Sequence, residues 1–221
     1  MILNHKYNFI FIKSFKTAGT SLEIALSKFC DNKDVVTPIV KEDEKLRSEL
    51  NFTPPQNYEG MREHMTAAEI KNKIGSELFN NYFKFIVIRN PYEQVISAFY
   101  WHNESKKKER KFFLFKKKPI SFDKFFKRKV HHIFEDEKNR YFENGKILVD
   151  QFVRYENFKN DLTKISEILK LPENIYDIFK NIKAKSNIRP SLEKVVKLNN
   201  EHKSQIKKYA KEIITLHNYK I

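Results

Sequence analysis

Tyr7-Asn8-Phe9-Ile10-Phe11-Ile12-Lys13-Ser14-Phe15-Lys16-Thr17-Ala18-Gly19-Thr20-Ser21-Leu22 is the stretch on which the fold turns. Its first seven residues are an apolar run rich in β-formers, which predicts a buried strand. The small residues that follow make a turn. Leu22, Ala25, Leu26 and Phe29 then recur at helical spacing across residues 20–29. The reading is strand, loop, helix, and the same order returns further on. Phe83–Ile88 is a second buried-strand candidate, after which Asn90 offers a helix cap and Pro91 a first helical residue with no amide to leave unpaired. The helix started there carries Val95, Ile96, Phe99 and Tyr100 on its apolar face.

Thr66-Ala67-Ala68-Glu69 is a capping box that opens a helix reaching about Ile74. Residues 147–153 read as a third strand, and residues 121–134, 160–169, 175–182 and 200–217 as helices. Residues 31–60, polar and holding Pro38, Pro54 and Pro55, read as an irregular excursion. Strands alternating with helices predict an α/β fold: a P-loop-like three-layer α/β/α arrangement with a central parallel sheet and a helix-rich C-terminal half. At 221 residues the chain suits one domain spanning 1–221.

Hydrophobic residues make up 40% of the chain, with 20 Phe and 10 Tyr, enough for a core without staples. The single cysteine, Cys30, permits no internal disulfide, which suits a reducing compartment. No apolar run approaches the ~18–20 residues of a membrane span. Residues 1–6 lack a secretory layout, so a cytoplasmic location is the default expectation. The net charge of +15 admits an anionic partner. Yet Lys far outnumbers Arg, Asn is abundant and Gly number only 4, which is the palette of AT-rich codons. Where the charges stand therefore says more than their sum.

Open α/β sheets bind ligands beyond the carboxyl ends of their strands, and residues 14–21 lie at such a place. Small residues there let backbone amides turn inward around an anion, and the following helix adds free N–H groups and the positive end of its dipole. Lys16 adds a mobile positive charge, and Thr20 and Ser21 add hydroxyl donors. The order is not that of a Walker A loop, in which the lysine follows the glycines; here Lys16 precedes Gly19 and no glycine stands upstream. That weakens an ATP or GTP site and makes a P-loop-like nucleotide kinase the second reading. Arg89 ends the second strand and so projects toward the ligand crevice, and Ser97 lies about two turns into the next helix. A guanidinium fork and a hydroxyl suit a terminal phosphate, through charge-assisted bidentate hydrogen bonds.

The run from Phe11 through Leu22 closely resembles the 5′-phosphosulfate-binding loop of the sulfotransferases that use 3′-phosphoadenosine 5′-phosphosulfate (PAPS). It is most similar to the branch of carbohydrate sulfotransferases and many bacterial relatives. That family usually has Pro immediately before the lysine; Phe15 stands there, which bears on loop rigidity but leaves every anion-binding group in place. Residues 85–100, with Arg89 and Ser97 eight apart, resemble the family's 3′-phosphate-binding segment. By this resemblance Lys16, Thr17, Ala18, Gly19, Thr20 and Ser21 hold the 5′-phosphosulfate, and Arg89 with Ser97 the 3′-phosphate. More loosely, Glu156-Asn157-Phe158 looks like the family's helix start after the third strand. Ser186-Asn187-Ile188-Arg189-Pro190 looks like the late loop that closes over the nucleotide, which adds Arg189 to the donor site. The implied reaction moves a sulfuryl group from PAPS to an acceptor hydroxyl on a glycan or glycolipid, releasing 3′,5′-ADP.

Such a transfer needs cations at the leaving phosphate and a group that takes the acceptor's proton. Lys16 fits the first role. His64, in Arg62-Glu63-His64-Met65-Thr66, fits the second, because a neutral imidazole titrates near 6.5. The segment also resembles a stretch of related sulfotransferases in which a His precedes a capped helix. Glu63 is the alternative base; Glu23 and Glu93 read as helix-surface charges. The reaction requires no metal and no ligand cluster has metal spacing; His131 and His132, adjacent on a helix, read as a surface pair. Residues 105–118, dense in Lys with Phe112, Phe113 and Phe115 interleaved, read as a loop or exposed segment. Three uses fit it: a solvated flap, an edge for an acidic glycan, or weak contact with anionic surfaces through residues 106–118. A third reading of the whole chain is a non-enzymatic basic nucleic-acid-binding protein, whose salt-dependent binding would be indifferent to Lys16.

Overall fold

The structure, a computed structural model, describes residues 1–110, 119–182, 184 and 196–220, with 107–110 by their backbone alone. Along the chain run β1 (Ile2–Asn4), β2 (Phe9–Ile12), α1 (Gly19–Ser27), β3 (Val35–Val36), α2 (Lys41–Glu49), α3 (Ala67–Ile74), α4 (Ser76–Asn81), β4 (Phe83–Ile88), α5 (Pro91–Arg110) and α6 (Phe122–Asn139). Then come β5 (Phe142–Glu143), β6 (Lys146–Ile147), β7 (Gln151–Arg154), a 3-10 turn at Tyr155–Asn157, α7 (Phe158–Ile168), α8 (Ile175–Phe179), α9 (Asn200–Tyr209) and α10 (Lys211–His217).

The main sheet has the order β3-β1-β2-β4-β7. β2, β4 and β7 are parallel, with Phe11 beside Phe85 and Phe85 beside Gln151. β1 is antiparallel to both β2 and β3, so the expected parallel sheet carries an antiparallel margin. The reason is local. The chain turns back between Asn4 and Phe9 through Asn8, whose φ of 52° an asparagine tolerates, and three apolar-to-small residues suffice to pair.

Odd-numbered strand residues Phe9, Phe11, Phe85, Val87 and Val153 pack with Leu22 and Leu26 of α1, Phe158, Leu162 and Ile165 of α7, and Ile175 of α8. The even-numbered Ile10, Ile12, Ile86 and Ile88 are buried as well. The unbroken apolar run of β2 follows from this, since a strand covered on both faces has no polar side to show.

The chain divides into two compact units: Met1–Ile88 with Glu137–Ala184, and Arg89–Asp136 with Lys185–Ile221. The first contains the sheet. In the second, Phe99 of α5 meets Phe122 and Phe125 of α6 with ring centroids 5.2 and 5.6 Å apart, and His202 of α9 packs on Phe126 at 4.4 Å.

Several boundaries differ from expectation. Residues 105–110 are helical rather than loop, because α5 is nucleated by buried Val95, Ile96 and Phe99 and then propagates through Lys and Glu, good helix formers. Residues 31–60 contain β3 and α2. The third strand is shorter than residues 147–153 and is preceded by the β5–β6 hairpin, whose Asn144-Gly145 turn has φ of 49° and 77°. Among the described residues no helix is long and apolar enough to cross a membrane. Of the basic stretch, residues 111–118 lie outside the described residues, as does Arg189.

Candidate functional site

The loop between β2 and α1 is fastened from below. Ser14 Oγ donates to the Val87 carbonyl of β4 and lies 2.7 Å from Thr17 Oγ1. Thr17 is fully buried, so its hydroxyl serves the floor of the loop and its backbone is what it can offer a ligand. Lys16 and Ala18 both stand in the left-handed region, at φ of 62° and 59°. Ala18 is the N-cap of α1 and supplies no side-chain cap; its carbonyl receives the Leu22 amide at 3.2 Å. No side chain therefore caps the first turn of α1, and helix N-terminal amides are groups of the kind that bind anions. Gly19 is required by space: a Cβ there would lie 2.9 Å from Lys13 Cγ. Thr20 and Ser21 are nearly buried, and Ser21 Oγ accepts the Ala184 amide at 3.3 Å. Phe15, in place of the family's usual Pro, uses its N–H to donate to Glu137 Oε2 at 3.4 Å.

His64 is joined to this loop. Its Nδ1 lies 3.1 Å from the Lys13 carbonyl, so Nδ1 carries the proton and Nε2 keeps its lone pair. Its ring meets the Phe15 ring edge-on, 6.2 Å between centroids. Arg140 Nη1 donates to the His64 carbonyl. Burial, then the Lys13 and Arg140 cations, push the imidazole down to about 4, against the opposing pull of Glu63. The His64 imidazole is thus neutral across the physiological range. The capping box expected behind it forms: Glu69 N–H donates to Thr66 Oγ1 at 3.1 Å and Thr66 N–H to Glu69 Oε2 at 2.7 Å.

Sequence reasoning missed the ionic group under the loop. Glu23, expected on the helix surface, is fully buried. Lys13 Nζ is 2.9 Å from Glu23 Oε2, and the Met1 ammonium is 2.8 Å from Oε1. Burial would raise this carboxyl, but those two cations outweigh it and hold it down to about 2. Lys13 Nζ also reaches Glu63 Oε2 at 2.6 Å, and holds Glu63 below the usual carboxylate range against the effect of burial. The signal available was a lysine at the end of an apolar strand, which burial allows only with a paired charge.

Arg89 and Ser97 belong to the second unit. Arg89 is 10% exposed, with Nη2 3.8 Å from Glu93 Oε2 one turn on, and Ser97 stands a further turn along α5 on the same side. Asn90 Oδ1 accepts the Tyr92 amide at 3.0 Å, which is the expected cap. In the first unit a pocket of about 490 Å³ opens beside Ala18, lined by Tyr155, Phe158, Tyr176 and Phe179 with Lys159 and Lys180 at its edge. His131 and His132 are both exposed; together with Glu135 they bring ligand atoms within 4.8 Å of one another.

Among the described residues, five of the nine positive-φ residues other than glycine are Asn, which tolerates that conformation. Three of the remaining four are Lys16, Ala18 and His64, so backbone strain gathers where the candidate chemistry stands. The chain belongs to the sulfotransferase family, whose model matches residues 1–220. Membership points to a transferase of sulfuryl groups acting on a hydroxyl-bearing acceptor, and PAPS is the family's general donor. An uncharacterized protein of Archaeoglobus fulgidus is 29% identical over 132 residues, spanning 58% of this chain and the whole of that protein. No solved structure matches the chain.

Proposed function

We propose that this chain is a PAPS-dependent sulfotransferase, one domain of the P-loop-like three-layer kind, acting on a carbohydrate hydroxyl. The observation that carries the reading is the pairing of an amide-rich, lysine-bearing loop with a neutral histidine whose free Nε2 is fixed by a hydrogen bond to that loop's own strand end. Lys16 and the amides of residues 17–21 hold the 5′-phosphosulfate, and Arg89 with Ser97 holds the 3′-phosphate. Arg189 belongs to the same donor set by the family resemblance. The pocket beside Ala18 is lined by the aromatic Tyr155, Tyr176 and Phe179, side chains of the kind a flat base such as the donor's adenine stacks on.

When bound, the donor supplies an activated sulfuryl group on a phosphate leaving group. His64 Nε2 receives the acceptor's proton as its oxygen attacks sulfur, and the Lys16 ammonium neutralises the charge that grows on the departing phosphate oxygen. Glu63 is the alternative base, but its Oε2 is already engaged by the Lys13 ammonium at 2.6 Å. The acceptor assignment rests on the likeness of the Lys16 loop to the carbohydrate branch.

The test is release of 3′,5′-ADP from PAPS in the presence of separate sugar, phenol and tyrosyl-peptide acceptors. Sugar-dependent release that falls about 10²–10⁴-fold in His64→Ala supports the reading. Release with no acceptor class, or stimulation by phenols alone, contradicts it or its carbohydrate part respectively.

A further inference from the structure

Lys13 stands three residues before Lys16, yet it is only 2% exposed. Its carbonyl receives the Nδ1 proton of His64, and its ammonium bridges Glu23 of α1 and Glu63. Its stem lies against Gly19, at the distance where any Cβ would collide. One residue thus touches the phosphate loop, the helix behind it and the base segment. A buried ion pair is a poor way to gain stability, because apolar side chains of the same size often do as well. What the pair does supply is register, since each carboxylate fixes one of the two segments.

We infer that Lys13 is a positioning residue that sets His64 relative to the phosphate loop: its carbonyl fixes the tautomer and its ammonium, through Glu63, fixes the charge facing Nε2. Glu63 Oε2 lies 3.8 Å from that nitrogen. This inference rests on the reading of His64 as the base. The other charges near the ring are Arg140, which donates to the His64 carbonyl and has Glu137 behind it at 3.8 Å, and Arg62, whose Nη1 donates to the same carbonyl at 3.4 Å and which pairs with Glu69. The Lys13 cation opposes an imidazolium and the Glu63 carboxylate favours one, so loss of either charge moves the base in opposite directions.

The experiment is NMR titration of the His64 imidazole nitrogens in the whole chain, with the pH profile of kcat/KM alongside. Lys13→Met is expected to move the His64 titration and the acid limb of activity upward, toward the ordinary histidine value, by roughly one pH unit or more. Lys13→Arg is expected to restore the wild-type position. Glu63→Gln, at a partly exposed carboxylate, keeps the test open if Lys13→Met does not fold, and is expected to move the His64 titration downward. Titration unchanged in the variants that fold overturns the role of Lys13. Turnover retained in His64→Ala overturns instead the assignment of the base, while the His64 titration in Lys13→Met and Glu63→Gln still reports whether Lys13 sets the imidazole.

Discussion

Gly19 shows how narrowly the loop is drawn. Its backbone is ordinary; what it lacks is a side chain, because Lys13 Cγ occupies the space. Gly19→Ala must displace a lysine stem pinned at its far end by two carboxylates. The expected cost is about 1–3 kcal/mol, read as a lowered midpoint of thermal unfolding, together with weaker 3′,5′-ADP binding. At His64 the sign of pH dependence is fixed by burial. The imidazole sits near 4 when folded and near the ordinary histidine value of 6.5 when unfolded, so the unfolded chain binds the extra proton between those values. Stability from this residue is complete above pH 6.5 and lost as pH falls toward 4. Glu63, whose folded value is lowered, adds loss in the same direction at the acid end. Unfolding midpoints followed from pH 7 down to 4 should fall less steeply in His64→Gln; an unchanged slope would remove this histidine from the acid response. These residue-scale effects were only partly legible. Lys16, Gly19 and His64 announced themselves by type and spacing, whereas Lys13 and Glu23 owe their roles to partners 10 to 50 positions away, contacts that no local pattern encodes.

Elements were more readable where their ends carry chemistry. Phe83–Ile88 matches β4 at both ends because its apolar residues, interrupted only by Lys84, stop at Arg89. The Thr66–Glu69 box forms because both halves of it lie within one turn of chain. Thr66→Ala should lower stability by about 1 kcal/mol in denaturant unfolding, since one helix-end amide then loses its partner. α2 escaped notice for the opposite reason: Lys41–Glu49 has no apolar stripe, and its buried residues are Asp43 and Arg47. Residues 105–110 read as loop by their charge density, but they continue a helix already nucleated upstream. On α5, Glu93 Oε2 lies 3.8 Å from Arg89 Nη2, so it competes for the guanidinium with the phosphate proposed to bind there. Glu93→Gln should therefore tighten 3′,5′-ADP by roughly 2–5-fold, the worth of a partly exposed ion pair, in a calorimetric titration.

For the whole molecule, repetition of strand, loop and helix was enough to foresee a mixed α/β protein with a mostly parallel sheet. It could not reveal the antiparallel β1, because Ile2-Leu3-Asn4 is too short to show a period. The net charge of +15 bears on the proposed reaction, whose donor and nucleotide product are both anions. It would speed their encounter at low salt, an effect that screening removes over about 10 Å at 0.1 M. A PAPS site is tested most directly by calorimetric titration of the whole chain with 3′,5′-ADP, ATP and an oligonucleotide, repeated in Lys16→Ala and Arg89→Ala. Such a site predicts that 3′,5′-ADP binds, that ATP binds far more weakly, and that each substitution weakens 3′,5′-ADP by roughly 10–100-fold, the worth of a charge-assisted hydrogen bond. Tighter binding of ATP, or binding of the oligonucleotide indifferent to Lys16, would contradict it.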